Sequence, residues 1–277
     1  MRIQISLTVS ESKRLIAKGI KYLPVVTKAL KGGRVILKGG TTTSAISEEI
    51  CNQPLRLSGR FVPEGALTAR DKVGPHSILI ERGNVKGIDD SWDEAISKLQ
   101  ADDVFITGAN VIDAFGNAAL AIGVRGGGPP GKSLSSIFGE GVKVIIAAGT
   151  EKMISGDLHH LFPKVGRKCV DSSYGAAVGL LPLLGNLFTE IDSITLLAKV
   201  DCFIIAKGGM GGMEGGTTVV IEGEPGEVEK IDQIYQGVKG SGISGIPGSL
   251  PNCESPNPYC NEHMACIYKK GKKTCFK

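Results

Sequence analysis

Arg34 to Ile50 reads RVILKGGTTTSAISEEI, and the fold class is decided there. Val35, Ile36 and Leu37 form a short apolar run suited to a buried strand. Gly39 and Gly40 break it, and Thr41, Thr42 and Thr43 follow. Ala45, Ile46 and Ile50 then return at helical spacing, with Glu48 and Glu49 on the other side. The order is strand, glycine turn, helix N-terminus. Amides at a helix start lack partners and carry partial positive charge, so they favour an anion. Glycine lets the backbone approach that anion closely, and threonine hydroxyls add donors. The plain alternative is an ordinary strand-to-helix turn with threonine caps. Gly39, Gly40, Thr41, Thr42 and Thr43 are thus candidate ligand contacts.

Moving outward, Arg2 to Leu7 reads as a strand. Thr8 and Glu11 have capping-box spacing before a helix with Leu15, Ile16 and Ile20 on one face. Pro24 opens a second helix. Residues 51 to 76, with Pro54, Pro63, Gly65, Gly74 and Pro75, read as a long loop. Ser77–Glu81 is a strand turned by Arg82-Gly83-Asn84. Ser91 and Glu94 form a second capping box. Asp103–Thr107 and Val142–Ala147 are further strands. Strands alternating with helices predict a parallel sheet covered on both sides.

Beyond about residue 170 the pattern changes. Thr189 to Lys199 reads as helix, and Cys202–Ile205 and Thr217–Ile221 as strands joined by GGMGGMEGG, residues 208 to 216. That loop reads as mobile surface, or as an apolar contact through its two methionines. Pro225 opens a last helix carrying Val228, Ile231, Ile234 and Val238. With Val178–Leu184 as leading strand, this is a small ferredoxin-like α+β unit. The expected organisation is a Rossmann-like α/β domain over 1–170, the α+β unit over 171–240, a Gly/Ser/Pro linker over 241–252, and a Cys-rich tail over 253–277.

Composition narrows the function classes. Of 277 residues, 42% are hydrophobic and 22% charged, which fits a globular chain; aromatics at 5% disfavour stacking on single-stranded nucleic acid. The net charge of +4 comes mostly from the last residues, so no nucleic-acid footprint is expected. The N-terminus has no uninterrupted apolar segment, which predicts a cytoplasmic protein with no membrane partner. A small anionic metabolite is the expected partner, and a homo-oligomer stays open.

A second stretch, Ile106-Thr-Gly-Ala-Asn-Val-Ile-Asp-Ala-Phe-Gly-Asn117, is followed by Arg125-Gly-Gly-Gly128. Taken in order with Gly39–Thr43, these motifs resemble the superfamily that includes ribose-5-phosphate isomerase A, glucosamine-6-phosphate deaminase, CoA transferases, initiation factor 2B-like isomerases and DeoR-type sugar-phosphate sensors. The resemblance covers roughly residues 34 to 150. It implies a Rossmann-like sheet binding a phosphorylated sugar or similar small anion, with isomerase, transferase or non-catalytic sensor behaviour. It places Gly108, Asn110, Arg125, Gly126, Gly127 and Lys132 at the ligand. Against the isomerase pattern, the family aspartates align with Thr107 and Asn110, the lysine with Arg125, and the catalytic glutamate near Leu134. Asn cannot ionise and Arg stays protonated, which leaves Asp113 as the nearest candidate catalytic carboxylate. Asn110 and Asp113 also suit a plain role in holding a turn. His159 and His160 have no ligand cluster beside them and read as structural.

The tail has its own chemistry. Four of seven cysteines fall in the last 25 residues. Cys253, Cys260, His263, Cys266 and Cys275 form a ligand-dense set, suited to zinc or, if all four thiols are used, an iron–sulfur cluster. With either metal, an alternative function is a redox or scaffold protein acting through this tail. Two disulfides, or disorder, are the rival readings.

Overall fold

In this computed structural model, residues 1–255 and 258–269 are described. In chain order the elements are β1 (Arg2–Leu7), α1 (Val9–Tyr22), α2 (Pro24–Gly32), β2 (Arg34–Lys38), α3 (Thr41–Cys51), β3 (Gly59–Val62), β4 (Gly65–Thr68), β5 (Ser77–Glu81), β6 (Asn84–Gly87), α4 (Trp92–Ser97), β7 (Val104–Gly108), β8 (Val111–Asp113) and β9 (Ala118–Ile122). Then come α5 (Gly128–Lys132), α6 (Leu134–Gly139), β10 (Lys143–Ala147), β11 (Met153–Ile154), β12 (Gly179–Leu183), β13 (Asn186–Phe188), α7 (Glu190–Leu197), β14 (Val200–Lys207), β15 (Thr217–Gly223) and α8 (Pro225–Val238).

The central sheet has six strands in the order β13-β10-β7-β2-β5-β6. The first four are parallel; β5 and β6 run antiparallel to their neighbours, so the sheet is mixed rather than wholly parallel. Side chains alternate across it. Ile36, Phe105, Val144 and Ile146 face α4 and α6, whereas Val35, Leu37, Val104, Ile106, Ile145 and Ala147 face α1, α2 and α3. Burial on both faces explains why these strands are apolar throughout. Each fully buried Ile or Leu contributes on the order of 1.5–3 kcal/mol.

A second core forms over the three-stranded sheet β1-β15-β14, between Ile5, Leu7, Val219 and Ile221 on the strands and Leu15, Ile194, Ile231 and Tyr235 on α1, α7 and α8. Helix α1 serves both cores: Leu15 enters this one, while Ile16 and Ile20 enter the central one. It lies tight against α7, where a Cβ on Gly19 would fall 2.3 Å from Ser193 Oγ, and Ser193 donates to Leu15 O at 2.6 Å. Besides β14, the antiparallel partner of β15 is the N-terminal strand, running from Arg2 opposite Glu222 to Leu7 opposite Thr217. The expected leading strand, Val178–Leu184, instead pairs with β9 in a separate four-stranded sheet, β11-β8-β9-β12.

Three local expectations need revision. The long loop over 51–76 contains the hairpin β3–β4. The Thr8–Glu11 capping box forms in both directions, but Ser91 makes no side-chain cap bond. Ser91 is not extended (φ −123°, ψ 29°), and Glu94 pairs forward with Lys98 at 2.6 Å instead. Residues 241–252 are no free spacer. Ser244 Oγ accepts from Arg14 at 2.8 Å, Ile246 N donates to Leu55 O at 3.0 Å, and Leu57 N donates to Ser249 Oγ at 3.0 Å. None of the helices among the described residues is long and apolar enough to cross a membrane.

Candidate functional site

Because β2, β7, β10 and β13 are parallel, their C-terminal ends share one edge of the sheet. That edge carries Lys38-Gly39-Gly40, Gly108, Ala147–Lys152 and Thr189-Glu190. Ligands of open α/β sheets bind at such an edge.

At β2, Gly39 is required by space: a Cβ there would lie 2.2 Å from His76 Nδ1 and 2.4 Å from His76 O. The His76 Nδ1 proton is fixed by Arg56 O, an acceptor only, at 3.0 Å. Burial, then the Lys38 charge, pushes the His76 pKa down to about 4. Burial likewise lowers Lys38 to about 8. Gly40 precedes α3 in an extended conformation and supplies no side-chain cap. Thr43 Oγ1 turns back to Gly40 O at 3.1 Å, while Thr42 Oγ1 is buried with no partner.

At β10 the chain continues Gly149-Thr150-Glu151-Lys152, and polar side chains from four elements, three of them charged, converge on it. Glu190, fully buried at the start of α7, accepts from Thr150 N at 3.0 Å and Thr150 Oγ1 at 2.5 Å. Thr217 Oγ1 of β15 lies 3.1 Å from Thr150 Oγ1, and Lys207 Nζ of β14 donates to Thr150 O. Lys13 Nζ of α1 stands 4.0 Å from Glu151 Oε1, close enough for attraction but too far for a hydrogen bond. Both Glu151 oxygens are buried without a hydrogen-bond partner. Burial pushes Lys152 down to about 8, with Glu151 and Glu190 opposing and Lys13 reinforcing the shift. Burial also lowers Lys13 and raises Glu190, whose bonds from Thr150 only partly offset it.

Glycine shapes this site too. A Cβ at Gly149 would fall 2.0 Å from Glu151 Oε2, so the carboxylate folds back over a bare backbone. The C-terminal end of the loop 208–216 touches the cluster: a Cβ at Gly215 would sit 3.1 Å from Val9 Cγ2 and 3.8 Å from Glu151 Cβ. Five of its glycines have positive φ, which explains its composition. Helices α1 and α3 run side by side, with Arg14 on Glu48 at 2.6 Å and Lys18 and Lys21 on Glu49. Lys13 and the first turn of α3 therefore lie at the same end of the pair.

The second motif behaves differently. Asp113 is buried, and its oxygens accept from Phe115 N, Asn117 N and Asn117 Nδ2 at 2.9 Å and from Leu158 N at 3.0 Å. Burial alone would raise its pKa, but these bonds outweigh that and hold it below the usual range. A carboxylate so occupied is a poor base; it pins the β8–β9 turn. Asn110 Oδ1 accepts from Ala121 N at 2.9 Å across the same hairpin. Arg125 and Lys132 are exposed at the two ends of a glycine turn whose Gly126, Gly127 and Gly128 have φ of 68°, 73° and 68°. This turn leads into α6 over one face of the sheet, while Gly39–Thr43 leads into α3 over the other. Gly108 ends β7 between β2 and β10.

In the tail, Cys253, Cys260, His263 and Cys266 line one cavity of about 500 Å³. Cys275 lies outside the described residues. Among the described residues no group of three or more His, Cys, Asp or Glu side chains is gathered closely enough to hold a metal ion as it stands. The thiols of Cys253, Cys260 and Cys266 are not in disulfides.

Sequence reasoning missed Lys13, Glu151, Lys152, Glu190 and Lys207. A signal was present: Gly149-Thr150 after an apolar strand repeats the pattern of Gly40-Thr41, with ionisable residues directly behind it. No protein-family model matches this chain, and neither curated proteins nor solved structures give a match.

Proposed function

We propose that the chain binds a small anionic metabolite at the C-terminal edge of the central sheet, beside Lys13, Glu151 and Lys152, and exchanges protons with it there. The observation that carries this reading is the Glu151 carboxylate. Its two oxygens are buried and, among the described residues, accept no hydrogen bond, with Lys13 at ion-pair range, whereas the buried Glu11, Asp103, Asp113 and Glu190 are all hydrogen-bonded. Charge supports an anion. Lys13 and Lys152 lie near Glu151, Lys207 bonds the adjoining Thr150 carbonyl, and the raised pKa of Glu190 weakens the acidic side further. The unpartnered Thr42 hydroxyl and the first amides of α3 add donors. Lys152 with a pKa of about 8 holds a usable share of neutral amine near neutral pH, and Glu151 has no fixed donor occupying its lone pairs. The two can give and take a proton on a bound molecule.

A phosphorylated sugar is the class implied by the superfamily resemblance, and a Rossmann-like core is its structural counterpart. The parallel strands β13-β10-β7-β2 with helices on both faces agree with that. Proton-transfer isomerisation is the reaction this pair of groups suits. The test is thermal stabilisation by inorganic phosphate and by a panel of sugar phosphates, in the native protein and in Lys152→Met. Stabilisation of the native protein that falls at least tenfold in apparent affinity in the variant supports the site. Equal stabilisation of both removes Lys152 from it. Binding without turnover would mark a sensor rather than an enzyme.

A further inference from the structure

The cavity under the tail is independent of the anion site. Two backbone attachments frame it. On one side Asn252 bridges to Ala69, and Cys253 N donates to Thr68 O at 2.8 Å. On the other, Cys266 bridges to Ser173, with Ser173 N on Ala265 O at 2.9 Å and Ala177 N on Met264 O at 3.0 Å. The backbone carrying Cys253 and that carrying Cys266 are thus each pinned to a different segment of the body, with the cavity lined by both. His263 is buried, and its side chain lines the same cavity as the three cysteines. Asn252 Oδ1 and Ser255 Oγ are buried in the wall with no hydrogen-bond partner among the described residues. Unpartnered polar atoms around an open space suggest a missing occupant.

We propose that this cavity is a zinc site, with Cys253, Cys260 and Cys266 as thiolates and His263 as the fourth ligand. Three sulfurs and one imidazole are a standard set for tetrahedral structural zinc. The side chains ring the cavity without converging, so binding draws them inward by rotation about χ1 while the bridged backbone stays in place. The reaction balances simply. Three thiols lose three protons, three Zn–S bonds and one Zn–N bond form, and the site carries one net negative charge. Arg60 is placed to answer that charge. It is held at the wall by donation to Ser249 O at 2.8 Å and Pro251 O at 3.1 Å, two residues short of Cys253 in the chain. Zinc would then do for the tail what a hydrophobic core does elsewhere, tying residues 253–266 to the β3–β4 hairpin and to the 173–177 segment.

The experiment is elemental analysis of the full chain purified reduced and without air, beside a Cys253→Ser/Cys266→Ser double variant. Cobalt substitution of the native chain serves as a measurement that does not depend on the variant folding. About one zinc per native chain, lost in the double variant, is expected. The cobalt form should show thiolate charge-transfer and tetrahedral d–d bands. Iron with acid-labile sulfide in place of zinc, absence of tightly held metal, or zinc unchanged in the double variant would each overturn the proposal.

Discussion

Asp113 and Glu151 are both acidic residues at the ends of neighbouring structural units, and they are opposites. Asp113 accepts four hydrogen bonds, three from its own turn and one from Leu158. Glu151 has two buried oxygens and accepts none. Saturation makes the first a fastener. The second, in ion-pair range of Lys13 but with no hydrogen-bond donor among the described residues, keeps its lone pairs open. The comparison teaches that residue type at a motif position says little about chemistry until the donors around it are counted.

The sharpest way to break this contrast is stability. Asp113→Ala strands four buried or partly buried donors and should cost about 4 kcal/mol. Glu151→Gln should change stability by less than about 1 kcal/mol while abolishing ligand-dependent stabilisation. Denaturant unfolding of both variants decides it; equal losses would mean that Glu151 is structural too.

The two glycine turns extend the comparison. Gly39→Ala forces a Cβ into the His76 backbone and should cost about 2 kcal/mol. Gly149→Ala meets only the movable Glu151 carboxylate, so ligand affinity should fall more than stability. A stability loss at residue 149 as large as that at residue 39 would show the carboxylate to be rigidly held.

Proton linkage gives a smaller, signed effect. Lys152 titrates near 8 in the folded chain against 10.5 unfolded. Between those values the unfolded state binds more protons, so the lysine's penalty is relieved and stability rises with pH. Lys152→Met lacks this response. Its melting advantage over the native protein should therefore shrink as pH climbs from 8 to 10.5; a constant difference would deny the lowered pKa. For His76, with about 4 folded against 6.5 unfolded, the stability of the neutral buried form is lost as pH falls through that window.

The smallest contrast lies between the capping boxes. Thr8→Ala should cost about 1 kcal/mol and Ser91→Ala a few tenths, because only Thr8 makes the cap bond. Similar losses in thermal unfolding would mean that Ser91 caps α4 in solution.

The legible parts of the fold were local. The apolar runs at 35–37, 104–107 and 142–147, the Thr8 box and Pro24 each state their element through nearest neighbours. Pairing was not legible. Alternation marks Arg2–Leu7 as a strand but does not name Thr217–Gly223, more than two hundred residues away, as its partner. Val178–Leu184 has the composition of a strand, but nothing local says that it pairs with β9 rather than with the sheet of β14 and β15. The glycine and proline of 241–252 suggested a spacer, yet Ser244 and Ser249 supply bonds to α1 and to the segment after α3. The candidate site was hidden for the same cause. Glu151 and Lys152 look like ordinary surface charges until Lys13, Glu190, Lys207 and Thr217 arrive from distant parts of the chain.

The most direct test of the central claim is mass spectrometry of small molecules retained by the native full chain and by a Lys13→Met/Lys152→Met double variant, each checked for folding by circular dichroism. A phosphorylated or carboxylated metabolite held by the native protein and lost from the folded double variant is the expected result. The same anion held equally by both would contradict a site beside Glu151.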